Sequence, residues 1–172
     1  MSNRSEKLHY LINALDGGTP STVSARLKSL LSNRMHGVSF SAYTGDQKPG
    51  DEISAAQIEH RMATLSEHFN WVRSFSVTEG NQLIPRVAKT FGIKTLVGAW
   101  LGGDVEKNRN EIERLIALCH EGCVDIAAVG NEVLYREELT EDELLAYINE
   151  VKARVPSHIP VGYVDAYYEF ED

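Results

Sequence analysis

From Gly37 onward, short continuous apolar runs alternate with longer stretches in which apolar residues recur every three or four positions. The runs Gly37–Ala42, Trp71–Val77, Ile93–Trp100, Val124–Gly130 and Ile159–Tyr163 read as strands. Between them, Ala55–Phe69, Asn81–Phe91, Val105–Glu121 and Glu141–Arg154 read as helices. Two of the helices open on capping-box spacing, Ser54 with Gln57 and Thr140 with Glu143, and Asp104 can cap a third. The run Thr95–Trp100 lacks polar alternation, which predicts a strand covered on both faces. Strand and helix alternate at about the 30-residue length of a βαβ unit, which predicts right-handed crossovers and a parallel sheet.

Length decides how far that sheet can close. A complete eight-stranded barrel takes about 250 residues, and the chain has 172. Two α/β architectures fit. One is a partial (β/α)8 TIM barrel of about four βα units plus a fifth strand, preceded by an N-terminal helical segment. The other is an open five-stranded sheet of flavodoxin-like order, which predicts a phosphate-binding loop. No Gly-x-Gly-x-x-Gly or Gly-Lys-Ser/Thr loop is present. The nearest run, Gly102-Gly103-Asp104, puts an acid where a phosphate would sit. The partial barrel is therefore the preferred reading, over residues 35–172. Residues 1–34 form a separate helical segment or linker, with helices expected over Ser5–Leu15 and Thr22–Ser32 and a turn at Asp16–Ser21.

Composition narrows the partners. A formal net charge of −8 argues against nucleic acid or an anionic membrane surface. No apolar run approaches the roughly 18 residues of a membrane span, and Met1–Leu15 is too charged for a secretory signal, so the default location is cytoplasmic. Cys119 and Cys123, four apart in a helical stretch, read as two free, partly buried thiols. The six histidines make no metal set and no Gly-x-Ser-x-Gly elbow exists, so neither metal nor cofactor is expected.

Candidate chemistry gathers where the run Asp125–Val129 breaks into Gly130-Asn131-Glu132. An acid at the carboxyl end of a parallel strand sits where α/β barrels collect their reacting groups. Glu132 can trade protons while Asn131 hydrogen-bonds a substrate hydroxyl, a pairing suited to sugar cleavage. The plainer alternative makes Glu132 a strand-end carboxylate paired with Arg136 or Arg73. Arg73 lies inside an apolar strand, which is costly unless it is paired or faces a polar site. Trp100 can stack on a pyranose or simply pack at its strand end. Tyr163, with Tyr43, Tyr167 and Tyr168, lies near the strand ends. The acidic stretch from Arg136 to Glu143 reads as a solvated loop and helix start, where negative charge suits the helix dipole.

Four strand-end runs occur in order: Gly37-Val38-Ser39-Phe40, Val72-Arg73-Ser74-Phe75, Val97-Gly98-Ala99-Trp100 and Val129-Gly130-Asn131-Glu132-Val133. Together they resemble the first four strands of glycoside hydrolase family 17, most closely its bacterial branch, over about residues 35–168. The resemblance implies a retaining mechanism on β-linked glucan, most readily β-1,3-glucan, with Glu132 as acid/base and Asn131 on the sugar's 2-hydroxyl. It implies that Arg73 supports the carboxylates. Where the family carries Tyr two residues on, this chain has Phe75, so a hydroxyl donor is missing. A retaining enzyme needs a second carboxyl roughly 5–5.5 Å from the first. In the family it ends the seventh strand, in a Glu-x-Gly-Trp-Pro-like run that this sequence lacks. The chain alone is therefore expected to be inactive. A non-catalytic carbohydrate- or partner-binding half-barrel is the alternative, and exposed barrel edges allow a homodimer.

Overall fold

The computed structural model describes residues 32–170 together with Ala25, Lys28 and Ser29. The helix expected over Ser5–Leu15, and most of that over Thr22–Ser32, lie outside the described residues. In the compact unit His36–Asp172 the elements follow one another as β1 (Met35–Ser39), α1 (Ala55–His68), β2 (Phe69–Ser74), α2 (Leu83–Thr90), β3 (Lys94–Ala99), α3 (Val105–His120), β4 (Ile126–Asn131), α4 (Glu141–Arg154) and β5 (Val161–Val164). A 3₁₀ turn, Tyr167–Phe170, comes after β5.

The strands lie side by side in chain order, β1-β2-β3-β4-β5, and β2 through β5 pair in parallel. That order separates the two architectures. A flavodoxin-like sheet runs 2-1-3-4-5, with a reversal at its first strand; strands laid down strictly in sequence form the wall of a barrel. The fold is a partial (β/α)8 barrel.

The helix starts follow from their caps. Ser54 and Thr140 each close a capping box, with Gln57 and Glu143, and the Asp104 side chain accepts from the amides of Glu106 and Lys107. Each cap satisfies amides that the first helical turn would leave without partners.

The two faces of the sheet differ. On the helix side, Phe40, Ile58, Met62, Val72 and Ile84 pack around α1 and α2. A second cluster, including Val97, Ile112, Leu115, Leu118, Val129 and Leu144, packs around α3 and α4. Each fully buried aliphatic side chain contributes roughly 1.5–3 kcal/mol. On the concave face, Trp71 and Arg73 of β2, Leu96 of β3 and Ile126 of β4 line a hollow of about 350 Å³. Gly98 lets β2 and β3 approach there, since a Cβ at this position would stand 2.9 Å from the Ser74 carbonyl oxygen.

β1 and β2 end earlier than their apolar runs predict. Ala42 and Val77, expected within strands, lie in the loops that follow and are wholly buried. Burial of a loop against a helix layer leaves the same apolar signature as a strand. Cys119 and Cys123 are free and buried, and burial, reinforced by Cys123, pushes the Cys119 thiol up to about 12.

Candidate active site

The end of β4 is bent by its backbone. Gly130 (φ 91°) and Glu132 (φ 52°) both adopt left-handed conformations, and the pairing with β5 shifts register between Ala128 and Asn131. This is a bulge, a device that re-aims side chains at the end of a strand. Glycine is required at 130 on two counts. Its φ suits only a residue without Cβ, and a Cβ would meet the Tyr163 ring at 3.2 Å and Leu144 at 3.4 Å.

Beyond the bulge, Asn131 is 7% exposed and its Oδ1 accepts a hydrogen bond from Arg73 Nη2 across the concave face. The Arg73 guanidinium lies over the Phe75 ring, 4.7 Å from its centroid. Phe75 thus serves Arg73 as a cation–π platform, a role that needs no hydroxyl. Burial lowers the Arg73 pKa and the nearby negative charge of Glu132 opposes that shift. The Arg73 Nε is buried without a partner.

Glu132 itself is exposed at the rim, and its amide donates to the Val164 carbonyl at 2.8 Å. Neither arginine proposed as its structural partner forms an ion pair with it. Arg136 bridges to Glu138 at 2.7 Å, and Arg73 reaches Asn131. Among the described residues no ion pair to the Glu132 carboxylate is found. A carboxylate at a strand's carboxyl end, unpaired and beside a half-buried guanidinium, can exchange a proton with a ligand.

Trp100 follows β3 at the same rim. The residue is 43% exposed, with the Arg136 guanidinium 4.5 Å from a ring centroid. Its amide donates to Glu111 Oε2 at 3.1 Å. Tyr163 is placed differently. Its ring packs with the helix-side cluster, and its hydroxyl donates to Asp165 while accepting the Leu134 amide at 3.0 Å. Burial, then that carboxylate, pushes the phenol up to about 12. The structure thus gathers Arg73, Phe75, Asn131 and Glu132, sets Trp100 on the same rim, and leaves Tyr163 behind β4.

Two roles escaped the sequence, those of Glu111 and Arg136, and an aromatic rim was read there only through Tyr167 and Tyr168. Glu111 of α3 is 4% exposed and accepts from Ser76 Oγ (2.5 Å), the Val77 amide (3.0 Å), Thr78 Oγ1 (2.7 Å) and the Trp100 amide. It ties the loop after β2 to the end of β3. The signal was its spacing, since Asn108, Glu111, Ile112 and Leu115 fall on one helical stripe. Arg136 is half-buried rather than part of a solvated acidic loop. Tyr135, Tyr167, Tyr168 and Phe170 form an exposed aromatic rim after β4 and β5, with Tyr167 and Tyr168 5.3 Å apart and Tyr135 6.1 Å from Tyr168.

Comparison with known proteins agrees with this geometry. A family model described as the BtgE/BtgC glycoside hydrolase domain matches residues 37–172. The chain belongs to this family. Among curated relatives of the BtgE/BtgC-type domain, the glucan 1,3-beta-glucosidase BGL2 of Candida albicans is 29% identical over 117 residues, 60% of this chain and 38% of that protein. A glucan 1,3-beta-glucosidase of Arthroderma benhamiae is 32% identical over 122 residues, 68% of this chain and 39% of that protein. Among solved structures, an active-site mutant of the Rhizomucor miehei beta-1,3-glucanosyltransferase in complex with laminaritriose superposes with a TM-score of 0.69 at 26% identity, over 81% of this chain and 52% of that one. The unmutated enzyme, described as glycoside hydrolase family 17, superposes equally well. An endo-laminarinase from Formosa, 18% identical with a TM-score of 0.70 over 84% of this chain, shares the fold. The BtgE/BtgC-type chain spans less than two fifths of the length of these curated relatives and about half that of the transferase. The family-17 kinship read from four strand ends is borne out.

Proposed function

We propose that this domain acts on β-1,3-glucan by a retaining glycosidase or transglycosidase mechanism, with Glu132 as acid/base. The observation that carries the reading is the bulged end of β4, which presents an exposed, unpaired Glu132 beside Asn131 and Arg73. Glu132 would protonate the glycosidic oxygen as the bond breaks and later take a proton from the incoming water or sugar hydroxyl. Asn131, oriented by Arg73, would bind the neighbouring hydroxyl, and Trp100 and the Tyr135–Tyr167–Tyr168 rim would offer flat apolar surfaces to pyranose faces. The curated relatives are named for action on the same linkage, which supports the substrate class.

The nucleophile position of the resemblance ends a seventh strand, and the described sheet has five. The proposal is therefore that the isolated chain binds but does not turn over β-1,3-glucan, and that the sheet edge at β1 or β5 meets its complement, in the same protein or a second copy. Residues 1–34 would be an N-terminal helical segment or linker that precedes the partial barrel in the chain.

The deciding experiment incubates the chain with laminari-oligosaccharides, following new reducing ends, longer products and ligand-induced changes in tryptophan emission. Emission should change on titration while products stay at background. In a barrel completed by the remaining strands, Glu132→Gln should then lower turnover about 10²–10⁴-fold. Turnover untouched by Glu132→Gln would remove the acid/base assignment. Failure of any β-1,3-glucan oligomer to bind would remove the substrate class.

A further inference from the structure

Arg136 makes more polar contacts at the rim than any simple surface pairing requires. Of the five N–H donors of a guanidinium, four are engaged. Nε and Nη2 both donate to Glu138 Oε2, at 3.1 and 2.7 Å. The same Nη2 donates to the Leu101 carbonyl at 2.7 Å, and Nη1 donates to the Asn131 carbonyl. The group also lies 4.5 Å over the Trp100 ring. Further along the chain, the Arg136 amide donates to the Glu132 carbonyl at 2.9 Å. The peptide groups on both sides of Glu132 are thus held by one residue, its side chain fixing the carbonyl before and its main chain the carbonyl after. The Val164 carbonyl takes the remaining amide.

The need for such a clamp lies in the backbone. Glu132 sits at φ 52°, a conformation that an L-residue with a long side chain leaves readily unless its surroundings hold it. We propose that Arg136 is the positioning residue for Glu132: it keeps the left-handed turn in place and straps the loop after β3 to the loop after β4, so that the Glu132 side chain leaves the backbone from one fixed point and in one direction. The inference rests on the reading of Glu132 as the acid for its functional consequence, and on the hydrogen bonds above for the positioning itself. Glu138 orients the guanidinium; its Oε2 also lies 2.9 Å from where a Cβ on Gly102 would stand, closing the strap on the far side. Lysine could keep the charge but not the planar fork that reaches three acceptors at once.

The test compares the unaltered chain with Arg136→Lys, Arg136→Gln and Glu138→Gln by backbone amide NMR, thermal unfolding and titration with laminaritriose. In both Arg136 variants the amide resonances of Asn131, Glu132 and Val133 move, as do those near Leu101, while those of α1 and α2 stay in place. Glu138→Gln gives a smaller displacement of the same resonances and covers the case in which an Arg136 variant fails to fold. Trisaccharide affinity stays close to that of the unaltered chain, and in a completed barrel kcat falls about 10–100-fold with little change in KM, the pattern of a misplaced acid. Unmoved resonances at residues 131–133 in folded Arg136→Lys, or in Glu138→Gln, overturn the proposal. Moved resonances in a chain that does not bind the trisaccharide leave the positioning established and overturn the glucan reading instead.

Discussion

The two faces of this sheet are built by opposite rules. On the helix side, Val97, Ile112, Leu115 and Val129 meet in a dry, close-packed layer where volume decides everything. On the concave side and its rim, Arg73 lies half-buried with one nitrogen unpartnered, Glu132 holds a left-handed backbone, and aromatic rings stand in solvent. A chain selected only for stability would not place a guanidinium there, because a paired buried charge seldom improves on a well-packed apolar residue. The concave face accepts local instability, and the helix face offsets it. That division of labour is what a binding surface mounted on a barrel wall requires.

The boundary between the faces should fail first. Glu111 crosses it, reaching from α3 to four donors on the loop after β2 and the end of β3. Glu111→Ala leaves the buried Val77 amide and three part-buried donors without their acceptor and should destabilise the chain by about 3–5 kcal/mol, seen as a lowered urea midpoint and a changed Trp100 emission. Within the helix layer, Leu115 is wholly buried, and Leu115→Ala should cost about 2–5 kcal/mol through lost contacts and a residual cavity. Its unfolding midpoint should drop while Trp100 emission in the folded chain stays put. The rim should respond with the opposite sign. Glu132→Gly relieves the left-handed strain and should raise stability by up to about 1 kcal/mol, a result no residue of the helix layer should imitate. If Glu132→Gly is markedly destabilising, the contrast between the faces is wrong.

The smallest effect concerns acid. Hydrogen bonds from the Thr140 amide, then its hydroxyl, hold the Glu143 carboxyl below its ordinary pKa in the folded chain. A depressed carboxyl adds stability above its unfolded pKa and loses it as pH falls through the folded value. Stability measured against pH through the acid range should therefore fall less steeply in Glu143→Gln than in the unaltered chain.

The same contrast explains what could be read beforehand. Caps are local chemistry, so α1 and α4 start where Ser54 and Thr140 indicated. The parallel order followed from the alternation of strand and helix. Strand ends were less legible, because Ala42 and Val77 are apolar for loop burial rather than for ladder pairing. At the site, the Gly130-Asn131-Glu132 run was visible because a bulge needs glycine and leaves a sequence mark. Glu111 and Arg136 left a fainter one. Their roles depend in large part on main-chain groups, at Val77 and Trp100 for Glu111 and at Leu101, Asn131 and Glu132 for Arg136, and main-chain groups have no letter in the code. Tyr163 was legible only as a tyrosine near a strand end; that its ring packs on the helix side against Leu144 while its edge meets Phe170 of the rim could not be read, because the bulge alters the alternation that assigns faces.

The buried thiols offer something the rest of the molecule does not. With its thiol at about 12, Cys119 carries almost no thiolate near neutrality while the helix layer is closed. In a Cys123→Ser chain, an added alkylating dye at mildly alkaline pH would therefore mark only molecules whose α3 had momentarily opened, and the labelling rate becomes a stopwatch for that opening, readable without any substrate.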